Sequence, residues 1–298
     1  MNKRGTDRGK GKPHSSPAGE MVVFPLSSDV WNIIEKNQTS CQNIGLLLSK
    51  YVKWNVNWLA TNLEAEFERL RKSKAQLLDK KTVYNPAVTV ASNSASEASS
   101  HLRNYFERFK ATLSSLEKSG WKVERLSNVK TQWRMVVGLG SGSILETSMT
   151  FHRIYGFPII PGSGLKGLAK AYANTVENIP DSDQQITDVF GSQSSEKPSQ
   201  GKVIFFDAIP VKFPKLKLDI MNPHYQDYYS DPSGKTPPAD YLSPNPIFFL
   251  TVGEGAEFYF AVASKEEHLA KLAKGWLENA LKELGVGAKT SAGYGYFE

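Results

Sequence analysis

The sequence predicts an α+β protein, with a mainly helical N-terminal part followed by a C-terminal half that runs β-α-β-β-α-β. Three observations carry that reading. Apolar residues recur at helical spacing through much of the first 120 residues, while after Trp121 short runs alternate with the period of strands. Two amphipathic helical segments, one opening at Pro161 and one at Ser264, interrupt those runs.

Residues 1–20, rich in Gly, Lys, Arg, Ser and Pro, read as a disordered basic tail. Over 41–59 the spacing of Ile44, Leu47, Leu48, Tyr51 and Val52 predicts a helix, which Leu63, Phe67 and Leu70 continue. From Arg69 to Lys81, Arg69, Arg71, Lys72, Lys74, Lys80 and Lys81 face only Asp79; they form either a solvated helix face or a rail for phosphates. Residues 87–100 are Ser/Ala-rich and read as a linker or loop. A helix through Leu102, Tyr105, Phe106, Phe109, Leu113 and Leu116 stops at Gly120, so 21–130 is expected to be a mainly helical region.

Residues 131–298 make the second expected domain. Strands are predicted over 131–138 and 145–152. Leu165, Leu168, Ala169, Tyr172, Ala173 and Val176 line one helix face behind Ser163 as N-cap. Gly201–Pro210 reads as a buried strand, and 247–263 holds two more around Gly253-Glu254-Gly255. Ser264 and Glu267 form a capping box, Leu269, Leu272, Ala273, Trp276, Leu277, Ala280, Leu281 and Leu284 hold one face, and Gly285 ends the helix. SAGYGYFE fits a short terminal strand. This order is the ferredoxin-like, or RNA-recognition-type, topology. The Pro- and Tyr-rich stretch 211–246 is expected to be an insertion outside the core, serving a partner or ligand.

At 298 residues with 40% hydrophobic and 22% charged residues, the composition is that of a globular protein. No run approaches the ~18 apolar residues of a membrane span, and no secretory signal is visible, so a cytoplasmic location is expected. The single Cys41 leaves no internal disulfide and no cysteine-built metal site. The net charge is +6, of which the first 19 residues hold +4, so any polyanion site on the folded body is a local patch.

The motifs exclude more chemistry than they establish. Gly138–Ser143 resembles a dinucleotide fingerprint, but Ser143 takes the third glycine position and no helix follows. Gly287-Ala288-Lys289-Thr290 resembles the end of a P-loop, but Ala288 stands where Gly is needed and the chain ends too soon for the helix. Its physical content survives: glycines that expose amides, with Lys289, Thr290 and Ser291 as donors to phosphate, and Gly293 and Gly295 flanking Tyr294. Gly162, Ser163, Gly164 and Lys166 place a second Gly/Ser loop at a helix N-terminus, which suits an anion. Arg153 adds a charge beside His152, which reads either as a structural histidine or as an acid-base group for RNA cleavage. Asp181, Asp183 and Asp188 read as solvent-facing acids or as magnesium ligands. Asn222-Pro223-His224-Tyr225, Tyr228, Tyr229 and Tyr241 either stack on bases or pack the insertion onto the body. Asp207, in a strand, reads as a structural hydrogen-bond acceptor or as a carboxylate facing RNA.

The segments GLGSGSILETSMTFHRIYGFPIIPGSGLKGLAKAY, GKVIFFDAIP, MNPHYQDYY, PPADYLSPNPIFFLTV and ELGVGAKTSAGYGYF, in that order, closely resemble the RAMP superfamily. Within it they resemble the family of sixth Cmr subunits of type III-B CRISPR effector complexes. The resemblance covers most of residues 131–298. It implies a ferredoxin-like RAMP core and a non-catalytic RNA-binding subunit that caps a backbone filament and holds the 3′ portion of the guide RNA. The implied partners are guide and target RNA, the repeated backbone RAMP subunit, the small helical subunit and another terminal RAMP subunit, with no cofactor, metal or membrane. Target cleavage in the family belongs to an acidic loop of the repeated subunit, which has no counterpart readable here. Gly164 and Ser143 depart from relatives that carry Ser or Ala, and His, at the matching positions. The alternative is a RAMP endoribonuclease that processes guide precursors through His152.

Overall fold

The protein is described from a computed structural model, which covers residues 22–23, 43–46, 54–55, 97–143, 147–192, 198–239, 241, 244 and 246–298. The chain divides into two units, residues 1–41 with 46–86, and residues 42–45 with 87–298. In the first unit, β1 (Val22–Val23) pairs antiparallel with β2 (Trp54–Asn55). A single helix therefore does not run over 41–59, since Trp54–Asn55 is a strand. Residues 1–20, the continuation through Leu63, Phe67 and Leu70, and the basic stretch 69–81 lie outside the described residues.

The second unit contains α1 (Glu97–Lys118), β3 (Lys122–Lys130), α2 (Gly162–Thr175), α3 (Gln184–Phe190), β4 (Gly191–Ser192), β5 (Ser199–Gln200), β6 (Val203–Phe205), β7 (Ile209–Pro210), β8 (Leu216–Met221), α4 (Gln226–Ser230), β9 (Ile247–Val252), β10 (Glu257–Ser264) and α5 (Glu267–Glu283). A 3₁₀ turn follows at Thr290–Ala292. β10 lies at the centre of the main sheet, with β3 on one side and β6 and β7 on the other, all antiparallel. The chain end adds a reduced fourth strand: Thr131 bridges Phe297, and Lys130 and Glu298 exchange two backbone hydrogen bonds of 2.9 Å. In space the strands run last, first, third, second, with the helices α2 and α5 as crossovers. This is a ferredoxin-like arrangement within an α+β fold.

β10 reads as a continuous apolar run because both of its faces are covered. Tyr259 and Ala261 meet α1 through Leu113, Phe106 and Phe109. Phe258 and Phe260 turn the other way onto Phe297, and Phe260 and Val262 line a small gap with Leu277 of α5. A second cluster joins Leu102 of α1 to Phe157 and Ile209.

Several elements differ from expectation. The first strand is Lys122–Lys130, not 131–138; Thr131 and Met135 bridge two different partners, Phe297 and Val252, so that segment crosses between sheets. β3 carries a bulge where Asn128 adopts φ +62° and the pairing with β10 shifts register. In the segment expected as a strand over 145–152, the described residues form no ladder; Thr150 N–H donates to Val137 O at 2.7 Å, and Phe151 bridges Pro158, which has no N–H to give. The strand expected over 201–210 splits into β6 and β7, because the chain leaves β10 at Asp207 to cap α2. Residues 97–100, expected in a linker, open α1.

Both predicted caps move. α2 starts after Pro161, and the acceptor for its first amide comes from Asp207 instead of Ser163. α5 starts after Glu266, because Ser264 is held in β10 opposite both Val203 and Lys122. Gly285 takes the expected left-handed position at φ +70°. Inside the expected insertion 211–246, Leu216–Met221 is a strand, paired along its length with β9, and Leu216 is buried. The terminal strand reduces to the bridge at Phe297. No helix among the described residues is long and apolar enough to cross a membrane.

Candidate nucleic-acid interface

The C-terminal loop is built on close backbone approach. Ala288 N–H donates to Val136 O at 2.9 Å, Gly295 N–H to Arg134 O at 2.8 Å, and Val286 N–H to Gly295 O at 2.8 Å. A Cβ at Gly287 would lie 2.2 Å from Val136 O, so only glycine allows that contact, and its φ of +92° is also a glycine conformation. The loop thus grips Arg134–Val136 and places Trp133, Arg134 and Lys289 around itself. The amides of Ala288, Ala292, Gly293, Tyr294 and Gly295 already donate to protein carbonyls. Those five amides are therefore engaged within the protein.

Tyr294 is buried, which removes it from the rings available to a base. Its hydroxyl donates to Asp219 Oδ2 at 2.6 Å, where the Arg134 guanidinium also binds, while Ile220 N–H donates to Oδ1 at 2.8 Å. Burial would raise the Asp219 carboxyl, but these hydrogen bonds outweigh it and hold the group below its ordinary range. Burial first, then the carboxylate, push the Tyr294 phenol up to about 12. The Trp133 ring lies 4.7 Å from that of Tyr294, and the Arg134 guanidinium carbon lies 5.6 Å from the indole centroid. Lys289, in a left-handed conformation, sets its ammonium 5.5 Å from the Phe249 ring. Thr290 is half-buried, and Ser291 and Gly293 are exposed.

The second loop differs in kind. Gly162 N–H donates to Asp207 Oδ1 at 2.7 Å, so the protein's own carboxylate occupies the first amide of α2. A Cβ at Gly162 would lie 2.2 Å from Phe205 O. Ser163 and Gly164 are exposed and Lys166 is half-buried. Among the described residues no ion pair involves Lys166, Lys289 or Arg153, and Arg153 is exposed.

His152 stands among Tyr105, Tyr155 and Phe157, with ring centroids 4.8, 5.0 and 4.9 Å away. Its Nδ1 accepts the amides of Ile154 and Tyr155, both at 3.3 Å, which places the proton on Nε2. Burial lowers its pKa against the opposing charge of Asp207, with Arg108 adding to the depression. It is built as a neutral, turn-holding ring. The loop acids have partners as well: Asp181 pairs with Lys170, Asp188 with Lys202, and Asp183 caps α3. No group of three metal-ligating side chains is found among the described residues. Tyr229 and Tyr241 are 73% and 83% exposed, so these two do not pack the insertion onto the body.

A protein-family model described as the RAMP superfamily matches residues 128–298. The chain belongs to the RAMP superfamily. The matched region holds the C-terminal loop and the ferredoxin-like core from the end of β3 onward. A Cmr6 subunit of the CRISPR system from Pyrococcus furiosus is 34% identical over 252 residues, covering 65% of this chain and 71% of that protein. The Cmr6 subunit of Saccharolobus solfataricus is 26% identical over 202 residues, covering 66% of this chain and 64% of the relative. A chain of the type III-B Cmr-beta complex bound to cognate target RNA shares the fold, with a TM-score of 0.57 at 22% identity over 91% of this chain and 88% of that one.

Sequence reasoning singled out both lysine loops but not Trp133, Arg134 or Asp219. The adjacent Trp133-Arg134 pair just before a glycine-rich stretch was an available signal. Nothing local pointed to Asp219, which reaches Arg134 across 85 residues.

Proposed function

We propose that this chain is a non-catalytic RNA-binding subunit of a type III-B Cmr effector complex, holding the 3′ portion of the guide RNA beside other Cmr subunits. The observation that carries this reading is the 34% identity to a Cmr6 subunit over most of that relative's length. The two lysine-bearing loops supply the chemistry. Lys289 is the main phosphate contact of the terminal loop, with Thr290, Ser291 and Gly293 around it. Ser163, Gly164 and Lys166 serve a second stretch of backbone, and Arg153 adds charge. Tyr294, Gly295 and Gly162 act by shaping these loops.

Phosphate contacts neutralise charge without reading sequence. Lys289→Ala and Lys166→Ala should each weaken binding to all single-stranded RNAs alike, and each should lower the salt dependence by about 0.7 in the log–log slope. Equilibrium titrations at several salt concentrations measure this; a sequence-selective loss, or an unchanged slope, counts against phosphate contact.

The geometry of His152 does not favour the endoribonuclease reading, since its Nδ1 is taken by two amides and three rings enclose it. Asp207 is used in capping α2. A reconstituted complex carrying His152→Ala or Asp207→Asn in this subunit alone should therefore yield every target cleavage product. Selective disappearance of one product, with assembly and guide binding intact, would place a catalytic site here.

A further inference from the structure

We propose that Trp133 is a stacking platform for one unpaired nucleobase of single-stranded RNA, a role that rests on the RNA-binding reading above. Trp133 is 41% exposed, although it sits against an organised polar and aromatic cluster. Tyr294 supports it at 4.7 Å, Arg134 at 5.6 Å, and both are anchored on Asp219. A ring held this firmly gives up little conformational freedom when a ligand covers it, which is what makes an aromatic residue a good anchor.

The surroundings leave the indole open. Ser291, Ala292 and Gly293 carry small side chains or none, and all three are exposed. A Cβ built at Gly293 would find Trp133 Cε3 as its nearest neighbour, at 4.0 Å, an ordinary van der Waals distance. Lys289 belongs to the same cluster through Phe249, which lies 6.1 Å from Tyr294. Two rings, Phe249 and Tyr294, thus link the lysine to the indole. An aromatic face with a cation in the same cluster is the combination that single-stranded nucleic acid uses: the base stacks and a phosphate along the strand meets the cation. Tyr229 and Tyr241 are more exposed, but among the described residues no such cluster surrounds them; the ring neighbour found for Tyr229 is Tyr228, itself 42% exposed. The stacked ligand is a base without sequence restriction, because every base offers a π face.

The test uses the full chain and a short labelled single-stranded RNA, with affinity measured across a salt series. Trp133→Ala should weaken binding roughly 5- to 150-fold, the range of one lost base stack, with the salt slope unchanged. Trp133→Phe should recover most of that loss, which separates stacking from a folding defect. In a set of RNAs that each lack one base, the abasic position that weakens the wild-type protein should have no further effect on Trp133→Ala. Unchanged affinity of Trp133→Ala, alongside a reduced salt slope for Lys289→Ala, would overturn the stacking role and leave the RNA-binding reading standing. A wild-type chain that binds no RNA would overturn both. A loss of salt slope in Trp133→Ala would show that the residue only positions the phosphate contact.

Discussion

Gly295→Ala is expected to cost about 2 to 5 kcal/mol of stability and to lower Tm by roughly 4 to 20 °C. Two separate costs contribute. Gly295 has φ +79°, a left-handed conformation that disfavours an L side chain by about 1–2 kcal/mol. Its Cβ would also lie 2.0 Å from Val286 O, and overpacking of that kind costs about 1–3 kcal/mol more. The carbonyl cannot retreat easily, because Val286 N–H is bonded to Gly295 O and Gly295 N–H to Arg134 O, each at 2.8 Å. Gly293→Ala is the matched comparison. Its φ of +88° carries the same conformational cost, but its Cβ meets nothing closer than Trp133 at 4.0 Å, so it should lose only about 1–2 kcal/mol. Thermal unfolding of the two variants measures the difference. Equal losses would mean that the loop shifts to relieve the clash, and that the backbone clasp is not rigid.

The contrast between these two glycines shows what the sequence can carry. Both were legible as part of one glycine-rich loop; Gly295 faces the Val286 carbonyl of that same loop, whereas the indole that Gly293 faces belongs to Trp133, about 160 residues upstream. The same division runs through the fold. α5 was legible because Leu269, Ala273, Trp276, Leu277, Ala280 and Leu281 repeat one face over four turns, and Gly285 ends it without outside help. β10 was legible because burial on two faces leaves an unbroken apolar run. β3 was not, since Leu126 is its one fully buried side chain and its charges find distant partners: Arg125 with Glu117, and Glu124 with Lys274. β8 escaped notice inside a Pro-rich stretch although Leu216, Leu218 and Ile220 alternate. The capping box at Ser264 and Glu267 is sound local chemistry, overruled by the strand pairing of Ser264 on both sides. At the interface, Lys166 and Lys289 were legible from their glycine neighbours. The Trp133–Arg134–Asp219–Tyr294 cluster was not, because tertiary contacts across 75 and 85 residues create it.

Asp219→Ala should destabilise the protein by about 2–3 kcal/mol and weaken RNA binding through Trp133, without altering the salt slope. Removing one partner of a fully buried ion pair costs roughly 3–5 kcal/mol, because it strands the other charge. Here the side chains of Arg134 and Asp219 are 25% and 17% exposed, so water tempers that cost. The variant also strips the acceptor from Tyr294 and frees both supports of the indole. Asp219→Asn separates charge from shape, since its amide oxygen can still accept from Tyr294. Its signature is in pH. The Asp219 carboxyl titrates below its ordinary value of 3.8: burial opposes this, and the hydrogen bonds from Tyr294, Ile220 and Arg134 prevail. A group depressed on folding contributes stability that is present above its unfolded pKa and is lost as pH falls through its folded pKa. Wild-type stability should therefore contain a component that disappears below about pH 4, and Asp219→Asn should lack it. At the alkaline end, the Tyr294 phenol, pushed up to about 12 by burial and then by the carboxylate, should titrate at lower pH in Asp219→Asn, keeping the part due to burial. Denaturant unfolding across the acid range and tyrosinate absorbance across the alkaline range measure the two ends. Identical acid profiles for wild type and Asp219→Asn, with an unmoved tyrosine titration, would show that Asp219 supports this loop by shape alone and that its charge plays no part in holding the stacking face.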